Sequence, residues 1–276
     1  MQIIADIGKN FITWDWKEQL KTGGEILTDL GWQNATKMIR LAKESGATVA
    51  KFQTHVFEDE KIKRDKSRYN WIEFNEQITP IEFWEEMKNE CDEIGIEFMT
   101  TPMSKMAAQK VNHLVKRWKV SSADIVDFEL LKYLKETKKP IIISTGMSTE
   151  GQIDKVVDYL GDQIEFINYC VSIYPCPIYK IDLSKMIKLK DKYNLSVGFS
   201  DHSLSIEVPT LAVRMGAVAV EKHFTLDRNV YGPDHKASLL PEEFKKMVDL
   251  CKLAETDSES FEEEKKHWDN FRAKVE

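Results

Sequence analysis

Two short segments, VGFSDH ending at His202 and VEKHF carrying His223, each close an apolar run with a histidine, 21 residues apart. A pair of imidazoles so placed can share one divalent ion and leave open positions for water and a substrate oxygen. The same pair can instead exchange protons near neutral pH, or serve as hydrogen-bonded structural groups. Spacing alone does not choose among the three. Asp201 and Glu221 flank the histidines as candidate orienting carboxylates. Downstream, the turn Gly232-Pro233-Asp234-His235-Lys236 carries a carboxylate at its tip, next to which stands the plain reading of a surface turn. His55, His113 and His267 have no evident partner in the sequence and receive no role.

A second set of chemistry-bearing residues recurs at the ends of other apolar runs: Asp6, Lys51 with Gln53, Thr101, Lys119 with Ser122 and Asp124, Ser144 with Thr145, and Ser172 with Tyr174. Ser200 precedes His202 by one alternation. Two lysines among hydroxyls suit a small oxyanion of about two charges, the ammonium groups acting as point charges and the hydroxyls as donors. A lysine at a strand end can also simply snorkel to water, but two in matching positions favour a phosphorylated or dicarboxylate-like substrate.

Such residues need a frame that brings many run ends to one place. Strand-length apolar runs at 3–7, 48–53, 97–101, 117–121, 140–144, 165–170, 195–199 and 217–220 alternate with helical periodicity at 33–45, 81–94, 105–114, 128–137, 151–160, 183–193, 206–215 and 242–253. Eight βα repeats in a chain of 276 residues predict a single-domain α/β protein, a (β/α)8 TIM barrel over 1–254, with its site at the C-terminal ends of the strands. A doubly wound sheet is the competitor, but no GxGxxG follows the first strand. Two segments exceed the bare repeat. One is the excursion 11–32 with Trp14, Trp16, Trp32 and Gly23-Gly24; the other is the charged stretch 56–79. The first leaves from the active end of strand one, and its aromatic rings are suited to stack on a sugar. Residues 255–276 turn acidic and polar and read as a terminal helix or tail.

Composition narrows the class further. A net charge of −7 excludes a general nucleic-acid or anionic-membrane surface. Four cysteines at irregular spacing, none as CxxC, read as reduced thiols. With no apolar span of membrane length and no leader-like start, a cytoplasmic enzyme is expected.

The segments IIADIG, AKESGATVAKFQTH, FMTTP, WKVSSADIVDFELLKYL, KPIIISTGMST, NYCVSIYPCP, VGFSDHSLSIEV and GAVAVEKHFTLDRNVYGPDHKASLLPEEF occur in this order and resemble the sialic acid synthase family. The resemblance covers roughly residues 2–250. It implies a metal-dependent barrel that condenses phosphoenolpyruvate with an aldose to a 2-keto-3-deoxy sugar acid of the nonulosonic type and releases phosphate. It also implies that Lys51, Thr101, Lys119, Ser122, Ser144, Ser172 and Ser200 hold phosphoenolpyruvate. His202 and His223 would bind a divalent ion of the Mn²⁺ type, with Mg²⁺ or Co²⁺ as alternatives. Gln53, Tyr174 and Asp234 would face the sugar, while Asp6 and Asp124 would act with the histidines in catalysis. The family usually has glutamate where Asp6 and Asp124 stand, and asparagine at Ser172; each shorter side chain reaches less far into the site. Most members also carry a C-terminal antifreeze-like domain, which this sequence ends before, so a homodimer without that swapped domain is expected. A sugar or phosphate binder without turnover, and a barrel aldolase or lyase working through a lysine Schiff base, remain the alternatives.

Overall fold

The structure, a computed structural model, describes residues 1–15, 17, 18, 21, 25–256, 270 and 273. Eight parallel strands form the centre: β1 (Gln2–Gly8), β2 (Val49–Thr54), β3 (Glu97–Pro102), β4 (Trp118–Val120), β5 (Ile141–Ser144), β6 (Ile164–Cys170), β7 (Val197–Asp201) and β8 (Ala219–His223). Their hydrogen-bonded order is β3-β2-β1-β8-β7-β6-β5-β4, and β3 and β4 lie side by side where the ring meets itself. The TIM barrel is therefore nearly closed.

Ten helices in chain order surround the strands among the described residues: α1 (Glu25–Glu44), α2 (Phe57–Glu60), α3 (Tyr69–Ile78), α4 (Ile81–Ile94), α5 (Lys105–Val111), α6 (Phe128–Glu136), α7 (Glu150–Leu160), α8 (Ser184–Tyr193), α9 (Glu207–Arg214) and α10 (Pro241–Thr256). Local chemistry explains several ends. Gly95 closes α4 in the left-handed conformation, as the sequence signalled. Thr149 and Gln152 form a reciprocal capping box at the start of α7. Two extents differ from the sequence expectation. The first long helix runs Glu25–Glu44 rather than from 33, and the charged stretch after β2, which the repeat left without an element, folds into α2 and α3. The start at 33 follows the apolar face of Ala35, Met38, Ile39 and Ala42, and Gly31, a weak helix former, stands just before it.

The period-2 alternation of the strands sorts side chains between the barrel interior and the helix layer. Ile4, Val49, Met99, Ile142, Phe166 and Ala219 form a buried apolar cluster inside the barrel. The next inward positions toward the C-terminal ends are polar, which sets a charged mouth upon a greasy plug. Gly198 is required at this transition, because a Cβ there would lie 2.3 Å from the Asn168 side-chain oxygen. The larger core lies outside, where Phe11, Phe52, Phe83 and Trp84 pack edge-to-face and stacked between β1, β2 and α4.

Trp14 belongs to this outer packing and not to a sugar platform. It is 2% exposed, meets Phe74 of α3 edge-on, and lies so close to Gly31 that a Cβ there would sit 2.8 Å from its ring. Trp32 donates its indole N–H to the Ile78 carbonyl and packs on Phe83. Apolar area in the helix layer therefore captures both rings. Trp16, the Gly23-Gly24 pair and nearly all of the tail after residue 256 lie outside the described residues.

Candidate active site

Strand register assembles the site. Asp6 pairs across to Lys51 on one side and to His223 on the other, Ser200 is level with Glu221, and Gln53 with Thr101. A cavity of about 230 Å³ opens above them, lined by Asp6, Lys51, Gln53, Thr101, Lys119, Ser122, Ser144, Ser172, Tyr174, Ser200, His202, His223 and Asp234. Every residue that the sequence assigned to phosphoenolpyruvate, sugar or metal therefore faces one mouth. The cavity also takes in Glu221, Met103, Met147 and Cys170.

The floor is a buried charge network. Glu221, 3% exposed, accepts from Lys119 at 3.1 Å and from Ser200 Oγ at 3.1 Å, and lies 3.7 Å from the Lys51 ammonium. Burial alone would raise its carboxyl pKa, but the charges of Lys119 and Lys51 outweigh burial and hold it at about 2. Lys51 meets Asp6 at 2.8 Å. Burial opposes its charge, yet Asp6 and Glu221 overcome burial and its pKa is raised. That arrangement keeps Lys51 an ammonium, which suits anion binding and disfavours the neutral amine a Schiff base requires. Glu221 was expected to orient the histidines; it anchors the lysines because its inward strand position points it to the barrel centre.

The opposite wall is imidazole. The His202 and His223 rings are 5.6 Å apart, with Tyr174, which follows Ile173 and precedes a cis Tyr174–Pro175 bond, 4.1 Å from the His202 ring at the rim. His202 Nδ1 donates to the Val171 carbonyl at 2.8 Å, leaving Nε2 bare. Burial, helped by His223, lowers its pKa to about 4, so the ring is neutral. His223 Nδ1 lies 3.5 Å from Asp6 and is buried without a hydrogen-bond partner, as is Asp6 Oδ1. Bare imidazole nitrogens, beside an unsatisfied carboxylate oxygen, fit a divalent ion held by two protein ligands. Among the described residues no three histidine, cysteine or carboxylate side chains converge as a complete ligand set, so water and substrate would supply the remainder. Asp201 plays no part here. It is an outward strand residue and pairs with the buried Lys222 and Ser203 behind the barrel wall.

Asp124 departs most from its expected place. Its carboxylate does not line the mouth; it accepts from Arg64 at 2.5 Å, Lys63 at 3.3 Å and Ser121 Oγ at 2.7 Å. An aspartate is one methylene shorter than the usual glutamate, and the segment after α2 brings two cations to meet it. No local pattern around residue 124 signals this partnership, which spans 60 residues of sequence. Ser122, two positions earlier, does face the mouth, accepting the Gly146 N–H at 3.1 Å and touching Cys170 Sγ at 3.1 Å. All four cysteines are free and buried, in keeping with the reduced-thiol expectation. His55, left without a role, pairs its Nδ1 with the buried carboxylate of Glu60 at 3.0 Å.

Fold and site together define a (β/α)8 barrel whose mouth joins an anion cradle to a two-histidine face. Residues 38–262 match the NeuB family model, and the chain belongs to this family, that of the sialic acid synthases. It is 37% identical over 244 residues to N,N'-diacetyllegionaminic acid synthase of Legionella pneumophila, covering 81% of this chain and 68% of that one. To human N-acetylneuraminate-9-phosphate synthase it is 32% identical over 236 residues, covering 80% and 66%. The crystal structure of the Leptospira borgpetersenii N-acetylneuraminic acid synthetase in complex with citrate superposes with a TM-score of 0.80 at 27% identity, covering 97% of this chain and 90% of that one. The chain spans about two thirds of the length of the curated relatives it matches. Among the described residues no helix is long and apolar enough to cross a membrane.

Proposed function

We propose that this protein condenses phosphoenolpyruvate with an open-chain aldose, of N-acylhexosamine type or an altered relative, to a 2-keto-3-deoxy sugar acid of the nonulosonic type with release of phosphate. The observation that carries the reading is the pairing, in one mouth, of Lys51 and Lys119 ringed by hydroxyls with two histidines on the facing wall. The NeuB-family membership and the synthase names of the relatives support it.

In this reading Lys51, Lys119, Thr101, Ser122, Ser144, Ser172 and Ser200 cradle the phosphate and carboxylate of phosphoenolpyruvate. Gln53, Tyr174 and Asp234 face the sugar. His202 and His223 hold a divalent ion of the Mn²⁺ type, which when bound polarises the aldehyde oxygen of the acceptor. The lining sets Lys51 and Lys119 beside Asp6, Glu221 and Asp234, so a divalent ion on the histidines would add positive charge toward an anionic substrate. The bond formed joins C3 of phosphoenolpyruvate to the aldehyde carbon, and water then adds at C2 of the former enol. Asp6, with one buried oxygen unpartnered, is placed to take the proton of that water. Collapse to the ketone breaks the C–O bond to phosphate, and the lysines stabilise the departing dianion. Asp124 has no step in this scheme, since Arg64 and Lys63 hold it outside the mouth.

The test incubates the protein with Mn²⁺ and phosphoenolpyruvate against N-acylated hexosamines, hexoses, pentoses and their phosphates, reading phosphate release and keto-acid product. Aldose-dependent release of both is expected. Binding of phosphoenolpyruvate with no release for any acceptor refutes turnover and leaves a binder.

A further inference from the structure

We propose a second anion site, separate from the barrel mouth, that takes an organic phosphate in the groove between α7 and α8. The groove has a volume of about 440 Å³, in the range of small-molecule sites. Lys185, Lys188 and Lys192 recur at the i, i+3 and i+7 positions of α8 and therefore share one face, which lines the groove together with Lys180. The acidic residues of α7 answer only one of these charges. Lys192 meets Glu150 at 2.5 Å and Asp154 at 2.7 Å, while among the described residues no carboxylate pairs with Lys180, Lys185 or Lys188. In a protein of net charge −7, three uncompensated ammonium groups around one concavity form a local exception.

The groove floor adds directional and apolar character. Ser148 also lines it, and its hydroxyl oxygen is buried without a hydrogen-bond partner. Ile153, Val171 and Leu189 supply apolar wall, so the site suits a phosphate attached to an organic body better than a bare ion. Lysines without carboxylate partners are point charges matched to a phosphate dianion, each free to donate.

The groove borders the barrel mouth. Cys170 lines both, and the loop that carries Ser144 into the mouth presents Thr145, Gly146 and Ser148 to the groove. Gly146 also donates its N–H to Ser122 in the mouth. A ligand in the groove therefore touches the loop that positions two of the mouth hydroxyls, which makes this an effector position. The inference stands independently of the reaction proposed above.

The experiment is calorimetric titration with inorganic phosphate, and then with phosphoenolpyruvate, in salt near 0.15 M to screen diffuse attraction. Wild type is compared with the Lys185→Gln/Lys188→Gln variant, whose exposed side chains can be changed without disturbing the core, and with Lys119→Gln/Glu221→Gln, which removes one ion pair of the mouth as a unit. Wild type should bind two equivalents. The groove variant should lose one or weaken it at least tenfold, and the mouth variant should keep that same equivalent. A single equivalent that survives Lys185→Gln/Lys188→Gln, non-saturable uptake, no uptake, or two equivalents indifferent to Lys185→Gln/Lys188→Gln would each overturn the proposal. Failure of the mouth equivalent alone speaks only against the reaction.

Discussion

Replacing Lys119 by glutamine tests whether the floor of the mouth is a coupled charge network or a set of independent residues. Lys119 does most to hold Glu221 ionised, meeting it at 3.1 Å, and Lys51 adds to this at 3.7 Å. Each tenfold change in an ionisation constant is worth about 1.4 kcal/mol, so holding the carboxyl at about 2 against an ordinary 4.5 represents about 3 kcal/mol of stability at neutral pH. Because the folded value is depressed, that stabilisation is fully present above pH 4.5 and is lost as pH falls through about 2. Without Lys119, burial of Glu221 is opposed mainly by Lys51 and two neutral donors. Lys119→Gln is therefore expected to lose about 3 kcal/mol at pH 7 in urea denaturation, since removing one partner strands a buried charge. Its deficit against wild type should shrink steadily between pH 4.5 and pH 2. Adding Glu221→Gln should restore most of the loss at pH 7, because the charge and its counter-charge then leave together. A deficit under 1 kcal/mol (roughly the worth of an exposed pair), a deficit that is constant across this pH range, or no recovery in the double variant would refute the network.

Three further outcomes follow from particular contacts. Arg64→Gln should cost about 2 kcal/mol, the range of a hydrogen bond to a charged group, because Lys63 and Ser121 still hold Asp124; chemical denaturation checks it, and an unchanged midpoint would mean that the contact carries nothing. Trp14→Ala should destabilise by about 3–5 kcal/mol through the cavity it leaves, with acceptor KM unaltered in the protein that stays folded; a KM effect without a melting-temperature effect would return Trp14 to the sugar site. His202→Ala and His223→Ala should each abolish Mn²⁺ uptake followed by electron paramagnetic resonance, with unchanged thermal stability in the absence of metal; undiminished uptake in both would remove the ion from this wall.

Alternation made most of the site readable in advance. Ser200 and His202, Glu221 and His223, and Lys51 and Gln53 are two residues apart, so a strand through either pair must turn both side chains to one face. The repeat of eight such strands then required the faces to converge. The inserted segments were not readable in this way, because their folds depend on partners far along the chain. Trp14 reads as a sugar-stacking aromatic until α3 supplies Phe74, and the helical content of 57–78 is packed against the barrel as well as locally encoded.

Residue types, their period and the resemblance of ordered segments determined the barrel, the end of it that bears chemistry, and the side chains that line its mouth. Tertiary structure decided what each charge touches. Asp124 belongs to Arg64 and Lys63, Glu221 to the lysines rather than the histidines, and Asp201 to Lys222 behind the wall. The physical reason is that strand parity specifies only a direction. A buried carboxylate must still find a cation within a few ångströms, and which one is nearest depends on loops that meet only when the ring closes.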